Sequence, residues 1–403
     1  MINSKARFFL CLSTFLCSTQ VMAVGLRLPN QDPEAIARGN AFVATADNPS
    51  AIYHNPAGIT QIEGKELSIG GYFISSDTSF ESPSGDRGQT DRSIQPVPQL
   101  HYVFSPEGSK FSYGLGLYVP FGLGIDYGED SPFPTLAIDG ELSYLTINPV
   151  VSYQITDNLS VGGGFTFNYS SIELNQHLGF VENDRFNFEG NDVAFGYNLG
   201  LLWRLNKKVS LGASYRSKTD FDYRGSSNAT SNPVIENRVR TTFAITFPEY
   251  LDIGLAYKPN ENWTLETNID WTDWSVVDST AFVGTALGDL PFNFNYSSSL
   301  MYEFGATRSF ASGLEISGGY IFSENSAPDQ NFTPYNPDSD LHLGSIGLSK
   351  PIGSVIWSFG YHFAYNGGRT VSGNQQNSLL GEVADGEYDT LNHAFNISFR
   401  KAF

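Results

Sequence analysis

Residues 193–204 alternate between large apolar side chains and side chains that are mostly small or polar. Successive side chains of a β-strand point to opposite faces, so each face of a strand carries every second residue. One face here carries Val193, Phe195, Tyr197, Leu199, Leu201 and Trp203. The other carries Ala194, Gly196, Asn198, Gly200, Leu202 and Arg204. The first face suits lipid and most of the second tolerates water, as in a strand of a membrane-spanning barrel.

Fourteen segments are predicted to be strands of this kind, and the joints between them alternate between short and long. The predicted strands lie near residues 65–76, 96–105, 111–119, 143–155, 159–171, 191–204, 208–218, 243–258, 262–274, 294–308, 313–322, 340–350, 354–365 and 390–403. Transmembrane barrels have short periplasmic turns, such as 156–158 here, and long external loops, such as 219–242. The sequence therefore predicts an all-β fold, a membrane-spanning antiparallel up-and-down β-barrel of about fourteen strands, with both chain ends on the periplasmic side.

The composition excludes a helical membrane span and one class of partner. After the N-terminus no segment is apolar for ~20 residues, the length that a transmembrane helix needs. Only a closed barrel can then satisfy the backbone hydrogen bonds within lipid. Aromatic residues make up 14% of the 403 residues, as the aromatic girdles of a barrel require. The formal charge of −19 makes nucleic acid a poor partner, because its phosphates are also negative.

Residues 1–23 are predicted to be a secretory signal peptide that is cleaved off. Lys5 and Arg7 form its charged start, 8–17 its apolar centre, and Val21-Met22-Ala23 its small-residue cleavage site. Both cysteines of the chain lie in this segment. We therefore expect a mature protein without disulfides or thiol chemistry.

Residues 24–64 do not alternate and are predicted to form a partly helical plug in the lumen. Asp32 and Pro33 are typical of a helix start, because an aspartate caps the free N–H groups and proline fits the first turn. An alanine-rich stretch over 35–45 is expected to be a short helix. The lumen of a fourteen-stranded barrel is wide enough to need such a filling. Residues 65–403 are predicted to form the barrel.

Three sequence blocks in the plug have a distinctive order. They are Ala37-Arg38-Gly39-Asn40-Ala41, Ala46-Asp47-Asn48-Pro49-Ser50 and Tyr53-His54-Asn55-Pro56-Ala57-Gly58. This order resembles the hatch of the FadL family, outer-membrane transporters of long-chain fatty acids and other hydrophobic compounds. Val119-Pro120-Phe121-Gly122, after the predicted third strand, is similar to a further block of that family.

The resemblance implies a transport route with three parts: an external apolar groove, an inner pocket capped by the hatch, and an opening in the barrel wall at a kinked third strand. The implied hatch motif consists of Asn55, Pro56, Ala57 and Gly58. The implied lateral opening consists of Gly114, Gly116, Pro120 and Gly122, since glycine and proline mark bends or broken ladders in strands. The implied groove contains Leu178, Phe180, Phe221 and Tyr223.

A ligand that carries a carboxylate needs a cation in the pocket. The predicted inward faces select three basic residues of the barrel and one of the hatch: Arg216, Lys218, Arg400 and Arg38. Arginine binds carboxylates with two parallel hydrogen bonds. The alternative for each of these cations is an internal salt bridge to a lumenal acid such as Glu266, Glu303 or Glu315.

Two other functions remain open from the sequence. A nonspecific porin would need an unobstructed lumen, which the predicted plug argues against. An outer-membrane barrel hydrolase would need a histidine beside a serine or an acid, and His342 and His362 are candidate lumenal neighbours on adjacent strands. The six histidines show no metal-ligand spacing such as His-Glu-x-x-His. The sequence therefore predicts a transporter with no catalytic residue, metal or cofactor.

The end of the chain indicates where the protein resides. Phe395, Ile397, Phe399 and the terminal Phe403 fall on one face of the last predicted strand. A terminal aromatic on such a strand resembles the signal that the outer-membrane assembly machinery reads. We expect a monomer in the outer membrane of a Gram-negative bacterium, with the lipid bilayer, that machinery and a hydrophobic ligand as partners. Long-chain fatty acids, aromatic hydrocarbons and other lipids are all candidate ligands.

Overall fold

The structure is a computed structural model that describes residues 26–92, 94–181, 184–231, 235–376 and 382–403. The predicted signal peptide, 1–23, lies outside the described residues. Among the described residues no helix is both long enough and apolar enough to cross a membrane.

The described residues form one antiparallel sheet of twenty strands. They are β1 (Gly64–Glu81), β2 (Arg87–Gln89), β3 (Ile94–Ser105), β4 (Phe111–Tyr118), β5 (Gly122–Asp126), β6 (Asp139–Thr156), β7 (Leu159–Gln176), β8 (Arg185–Arg204), β9 (Val209–Arg216), β10 (Thr219–Ser231), β11 (Ile235–Phe247), β12 (Tyr250–Asn260), β13 (Trp263–Thr272), β14 (Ser279–Thr285), β15 (Gly288–Asn293), β16 (Ser299–Ser309), β17 (Glu315–Ser323), β18 (Leu341–Ile352), β19 (Val355–Val371) and β20 (Gly386–Ala402). The last strand pairs with the first from Glu66 opposite Ala402 to Glu81 opposite Glu387, which closes the sheet into a barrel.

Six positions in the barrel wall hold two consecutive strand segments instead of one. For example, β4 and β5 both pair with β6, and β9 and β10 both pair with β8. The other interrupted positions are β2 with β3, β11 with β12, β13 with β14, and β15 with β16. The wall therefore has fourteen strand positions, which confirms the predicted fold class.

The lipid-facing side of β8 is the predicted one. All six residues from Val193 to Trp203 on that face are between 40% and 68% exposed, whereas Asn198 on the other face is 1% exposed. Exposed apolar side chains continue around the outside of the barrel, for example Ile253 and Phe304. The alternation thus marks a true apolar belt.

Replacing Leu199 by arginine is expected to destabilise the barrel by roughly 2–3 kcal/mol, because a charge would enter the apolar belt. Leu199 is 52% exposed near the middle of the apolar stretch of β8. The control is Asn191→Arg, on the same exposed face but above the apolar stretch, which should cost well under half as much. Unfolding free energies of both variants in lipid vesicles test the register; equal costs would contradict it.

The region predicted to be a loop, 219–242, is mostly strand, so that prediction is wrong. β10 and β11 extend the barrel beyond the membrane, with Phe221 and Tyr223 buried inside and Asp220 and Asp222 exposed outside. This is the reverse of the pattern within lipid, where apolar residues point outward. Above the membrane water surrounds the wall and the interior is apolar, so a search for lipid-facing stripes does not find these strands.

The N-terminal segment, residues 26–63, is enclosed by the barrel. It contains α1 (Pro33–Ala37), α2 (Ala51–His54) and a 3₁₀-helix, η1 (Pro56–Gln61). α1 packs against β17, β18, β19 and β20, whereas η1 packs against β4, β6, β7 and β8. As predicted, the Asp32 carboxylate accepts the backbone N–H groups of Glu34 and Ala35. The expected helix over 35–45 is shorter, because Gly39 and Asn40 take positive φ angles of 59° and 57°.

Glycines on the inner wall let this segment approach the barrel backbone. A Cβ at Gly212 would lie 2.1 Å from the Val43 carbonyl oxygen, and one at Gly305 would lie 2.3 Å from that of Arg38. At Gly319 it would lie 2.0 Å from the Gly39 nitrogen. These contacts are backbone against backbone, so no larger side chain fits while the segment is in place.

Candidate functional site

The predicted hatch motif ties the N-terminal segment to the wall. The Asn55 side chain donates from Nδ2 to the carbonyl oxygens of Val43 (2.8 Å) and Leu201 (3.0 Å), and its Oδ1 accepts the Ala57 N–H at 3.2 Å. Ser152 of β6 donates to the Pro56 carbonyl at 2.5 Å. Asn55 is fully buried, so its amide satisfies backbone groups that water cannot reach.

Gly58 is the last residue of the predicted hatch motif. Glycine in a turn often permits a positive φ, but the φ of Gly58 is not among the positive values of the described residues. A Cβ at Gly58 would lie 2.2 Å from the Ala46 carbonyl oxygen and 2.6 Å from the Ala46 Cβ. The glycine is therefore required by close packing within the segment.

Arg400, a predicted ligand cation, is used in an internal salt bridge. Its guanidinium contacts Glu34 of α1 and Glu66 of β1, each at 3.1 Å. Burial raises the pKa of the Glu34 carboxyl, but Arg400 and hydrogen bonds from Ser358 and Asn48 outweigh this and lower it to about 2. Arg400 therefore follows the predicted alternative, an internal salt bridge. Its partners are Glu34 and Glu66, whereas the acids expected were Glu266, Glu303 and Glu315.

Lys218 and Arg38, two further candidate ligand cations, also present no free cation to the lumen. Lys218 is exposed, so its predicted inward orientation is wrong. The wall is interrupted between Arg216, where β9 ends, and Thr219, where β10 begins, and the inward parity changes from even to odd residues there. Arg38 is buried, donates to the Thr45 hydroxyl at 3.2 Å and lies over the Phe42 ring.

Arg216 points into the lumen and lacks an acidic partner. Its Nη1 donates to the Tyr118 hydroxyl at 2.7 Å, whereas Nε and Nη2 are buried without a hydrogen-bond partner. The guanidinium carbon lies 5.1, 5.3 and 5.8 Å from the ring centres of Tyr53, Tyr118 and Tyr250. Among the described residues it makes no salt bridge. Three electron-rich ring faces partly stabilise the charge, but two donors on one edge of the fork stay free.

Arg27, which the sequence reasoning missed, lies on the other side of Tyr250. Its guanidinium is 3.6 Å from the Tyr250 ring centre and binds the Asp270 carboxylate through Nη1 (2.7 Å) and Nη2 (2.6 Å). Both side chains are at most 2% exposed. A cation in the apolar stretch Val24-Gly25-Leu26-Arg27-Leu28 was the available signal. This pair fastens the start of the segment to β13.

The wall is interrupted where the resemblance implies a lateral opening. β3 pairs with β4 only from Leu100 to Phe104, and β5 pairs with β6 but not with β3. Residues 96–99 of β3 therefore have no strand partner on that side within the described chain. Pro96 and Pro98 lie in this stretch, as is typical of strand edges, where a missing N–H costs little.

The N-terminal segment covers this gap. The Leu28 N–H donates to the Pro120 carbonyl and the Gly122 N–H to the Leu26 carbonyl, both at 2.8 Å. Pro120 and Gly122 thus flank the break between β4 and β5. Gly114 and Gly116 instead lie within unbroken β4, and a Cβ there would meet the Ile52 side chain at 2.9 and 2.8 Å. They make room for α2 and do not bend the strand.

A large apolar cluster, here called the aromatic cluster, fills the barrel from the outer loops down to the level of the wall gap at Pro120 and Gly122. Its buried aromatic members include Phe121, Tyr144, Phe186, Phe188, Phe221, Tyr223, Phe243, Phe247, Tyr250, Trp274, Phe282, Phe294 and Tyr296. Of the four predicted groove residues, Leu178, Phe221 and Tyr223 belong to it, whereas Phe180 is 52% exposed. The cluster connects the external loops to Phe121 at the wall gap and to Tyr250 beside Arg216.

One aspartate holds the loop that carries Leu178. The Asp184 carboxylate accepts the backbone N–H groups of Leu178, Gly179, Phe180 and Val181 at 2.5–3.0 Å. Burial raises the pKa of this carboxyl, but the four N–H donors outweigh it and hold the pKa below the ordinary value of 3.8. The stability that the Asp184 carboxylate contributes is therefore present above pH 3.8. It is lost as the pH falls through the lower pKa that Asp184 has in the folded protein.

Replacing Asp184 by asparagine is expected to open this loop, because the amide nitrogen cannot accept two of the four N–H groups. Amide exchange at 178–181 should become at least roughly tenfold faster at neutral pH, as for losing one or more charged hydrogen bonds. Acidifying the unmodified protein through the folded-state pKa of Asp184, which lies below 3.8, should open the loop in the same way. Asp86→Asn, in another external turn, is the control and should leave exchange at 178–181 unchanged. Exchange at 178–181 that is no faster in Asp184→Asn than in Asp86→Asn would show that Asp184 does not hold the loop.

The histidines expected to be lumenal neighbours lie on opposite faces of the wall. His362 is 1% exposed and faces inward near Tyr72, whereas His342 is exposed and contacts the Tyr320 hydroxyl. His342 stands opposite Tyr365, and His362 opposite Ser345. The strand parity therefore separates them, and this basis for a hydrolase is wrong. The described residues also contain no cluster of three potential metal ligands.

Residues 14–403 match the model of a family described as "Outer membrane protein transport protein (OMPP1/FadL/TodX)". The chain belongs to this family. As a FadL-type transport protein it resides in the outer membrane of a Gram-negative bacterium. The resemblance seen in the hatch blocks is thereby confirmed over almost the whole chain.

Curated relatives of this FadL-type chain are distant but cover most of it. The long-chain fatty acid transport protein of Escherichia coli K12 is 22% identical over 391 residues, covering 84% of this chain and 87% of the relative. Outer membrane protein P1 of Haemophilus influenzae is also 22% identical, over 395 residues, with coverages of 84% and 85%.

Solved structures share the fold. A Pseudomonas aeruginosa FadL homologue has a TM-score of 0.85 at 16% identity, covering 94% of this chain and 99% of that one. The Ralstonia pickettii toluene transporter TbuX has a TM-score of 0.73 at 19% identity, covering 93% and 100%.

Proposed function

We propose that this protein takes up long-chain fatty acids and related hydrophobic acids across the outer membrane. The observation that carries the proposal is Arg216: a buried guanidinium with two free donors, no acid beside it and an aromatic cluster above it. The name of the curated E. coli relative supports the same ligand class.

The chemistry favours an anionic head group at this point. A buried charge without a partner is costly, and a carboxylate would offset that cost by accepting from Nε and Nη2 of Arg216 together. The acyl chain would then lie along the aromatic cluster, where rings such as Phe221, Phe247 and Tyr144 pack within 5.6 Å of one another. One site thus recognises both ends of an amphiphile.

The route follows from the same contacts. The outer loops, with Leu178, Phe180, Phe221 and Tyr223, capture the ligand, and Arg216 holds it beside Tyr53 of the hatch. Residues 24–64 act as the hatch, with Asn55-Pro56-Ala57-Gly58 as its anchor. Movement of residues 26–28 away from Pro120 and Gly122 uncovers the gap between β3 and β5, and the ligand leaves sideways into lipid. We further propose cleavage of 1–23, a barrel over 65–403 and no enzymatic activity.

Two other roles have less support. A nonspecific porin would conduct steadily, but the buried segment 26–63 occupies the lumen. Transport of small aromatic hydrocarbons is favoured by the aromatic cluster and by the name of the toluene transporter TbuX. A neutral hydrocarbon would not use Arg216, which gives the two ligand classes different tests.

Replacing Arg216 by methionine is expected to weaken the binding of a long-chain fatty acid by about 10- to 100-fold, since a charged hydrogen bond contributes about 1.5–3 kcal/mol. Binding of the fatty alcohol of equal chain length should change by less than about threefold. Arg204→Met, which replaces a half-buried arginine at the end of β8, is the control. Titration of both ligands onto purified variants gives the answer: equal losses for acid and alcohol, or no loss for the acid, would overturn the proposal.

The assembly of the protein remains a separate proposal. We propose that it folds as a monomer and that the assembly machinery reads Phe403, which is 69% exposed. Its N–H donates to the Lys65 carbonyl at 2.9 Å, so the last residue lies at the seam where the barrel closes.

A further inference from the structure

The barrel wall has a second interruption, away from the gap that residues 26–28 cover. β11 pairs with β14 only through Thr242 and Phe243, and pairing resumes at Tyr250 opposite Thr272 between β12 and β13. Between these points the chain after β13 leaves the wall as a short 3₁₀-helix, Trp274–Val276. Across this stretch a side-chain bond from the Thr280 hydroxyl to the Ala244 carbonyl, at 2.6 Å, links the two sides.

A cavity of about 300 Å³ fills this interruption. Its inner end is formed by Phe221, Val277 and Phe294, which are buried members of the aromatic cluster. Its mouth is formed by exposed residues, including Ala244. The cavity therefore leads from the outer surface of the barrel directly into the aromatic cluster, and its size is at the lower end for ligand pockets.

The mouth of the cavity is acidic. Asp220, Asp222 and Asp278 line it and are exposed. Asp222 forms an ion pair with Arg224 at 3.4 Å. Asp220 instead accepts a hydrogen bond from the neutral Thr246 hydroxyl at 2.7 Å. Within the described chain neither Asp220 nor Asp278 takes part in a salt bridge. Lys218, two residues before Asp220, interacts electrostatically with Asp273.

We propose that this cavity is a lateral binding site for alkyl cations, apolar chains that carry a positive charge, arriving from the side of the barrel. The alkyl chain of the ligand enters between Ile245 and Val277, and its cationic head group stays beside Asp220 and Asp278. The carboxylates repel fatty acids and lipid phosphates, so this site has the opposite charge preference to Arg216. It gives the aromatic cluster a second ligand class and a second direction of access.

Quenching of Trp274 fluorescence tests this site. Trp274 is 2% exposed, belongs to the aromatic cluster and precedes Val277 by three residues. The full chain, purified in an uncharged maltoside detergent, is titrated with a nitroxide-labelled alkyltrimethylammonium and with the nitroxide-labelled fatty acid of equal chain length. Subtracting the signal of Trp274→Phe isolates this residue from the other tryptophans.

The expected result is a charge-specific response. Replacing Asp220 and Asp278 together by asparagine should weaken the cationic probe roughly three- to tenfold, as for two partly exposed charge pairs, and leave the fatty acid unchanged. Ala244→Phe should block the mouth and abolish quenching by the cation. Both variants must keep the mobility of a folded barrel on unheated gels.

Three results would overturn the site: an equal loss of both probes in the double asparagine variant, full binding of the cation to that variant, or full binding of the cation to Ala244→Phe. Arg216→Met separates this site from the proposed function. Loss of fatty acid binding in that variant with normal cation binding supports both proposals, whereas unchanged fatty acid binding removes only the proposed function.

Discussion

Replacing Asp270 by asparagine is expected to destabilise the protein by about 3–5 kcal/mol, because it breaks a buried ion pair and leaves the Arg27 guanidinium without its salt-bridge partner. Arg27 and Asp270 are 2% and 1% exposed, so water cannot take the place of the lost carboxylate. The Thr272 hydroxyl, 2.7 Å from Arg27, offers only a neutral acceptor.

The loss should appear first at the wall gap. Arg27 lies between Leu26 and Leu28, whose backbone groups bond to Gly122 and Pro120. When the arginine is released, residues 26–28 should leave the edge of β5. We expect faster amide exchange at Gly122 and more frequent brief conductance events in planar bilayers, together with a lower unfolding temperature.

Two controls separate this effect from a general loss of charge. Glu81→Gln removes an exposed pair with Arg87 and should cost less than about 1 kcal/mol. The double variant Arg27→Met with Asp270→Leu should recover much of the stability, since apolar pairs often replace buried ion pairs without loss. A small effect of Asp270→Asn, equal to that of Glu81→Gln, would show that the pair does not hold the segment.

Replacing Gly319 by valine is expected to expel the N-terminal segment from its position, at a cost of about 3 kcal/mol or more. The added Cβ would lie 2.0 Å from the Gly39 nitrogen and 2.2 Å from the Arg38 carbonyl carbon. Both are backbone atoms, so no change of rotamer relieves the collision. The barrel itself should still form, because valine suits a strand.

Gly344→Val on the adjacent strand is the matched control, since a Cβ there would meet no atom within 4 Å. Limited proteolysis of residues 26–63 and steady conductance report whether the segment has left the lumen. We expect both signals for Gly319→Val and neither for Gly344→Val. A protected segment in a well-folded Gly319→Val barrel would contradict the close packing described here.

Much of the fold could be predicted from the sequence because its signals are local. The lipid side of each strand is set by apolar residues two positions apart, as in Val193 to Trp203. The hatch blocks are contiguous, and so is the aspartate–proline start of α1. Each of these features depends on a few neighbouring residues and on the surrounding lipid, so it can be read without knowing what lies across the barrel.

The roles of the charged residues depended on the folded wall. Lys218 and Arg216 share a predicted face, but the interruption between β9 and β10 turns Lys218 outward. Arg400 is neutralised by Glu34, 366 positions earlier in the chain. Arg27 is held by Asp270, 243 positions away. A local pattern specifies which face of a strand meets lipid, whereas the partner of a buried charge is specified by closure of the barrel around the N-terminal segment.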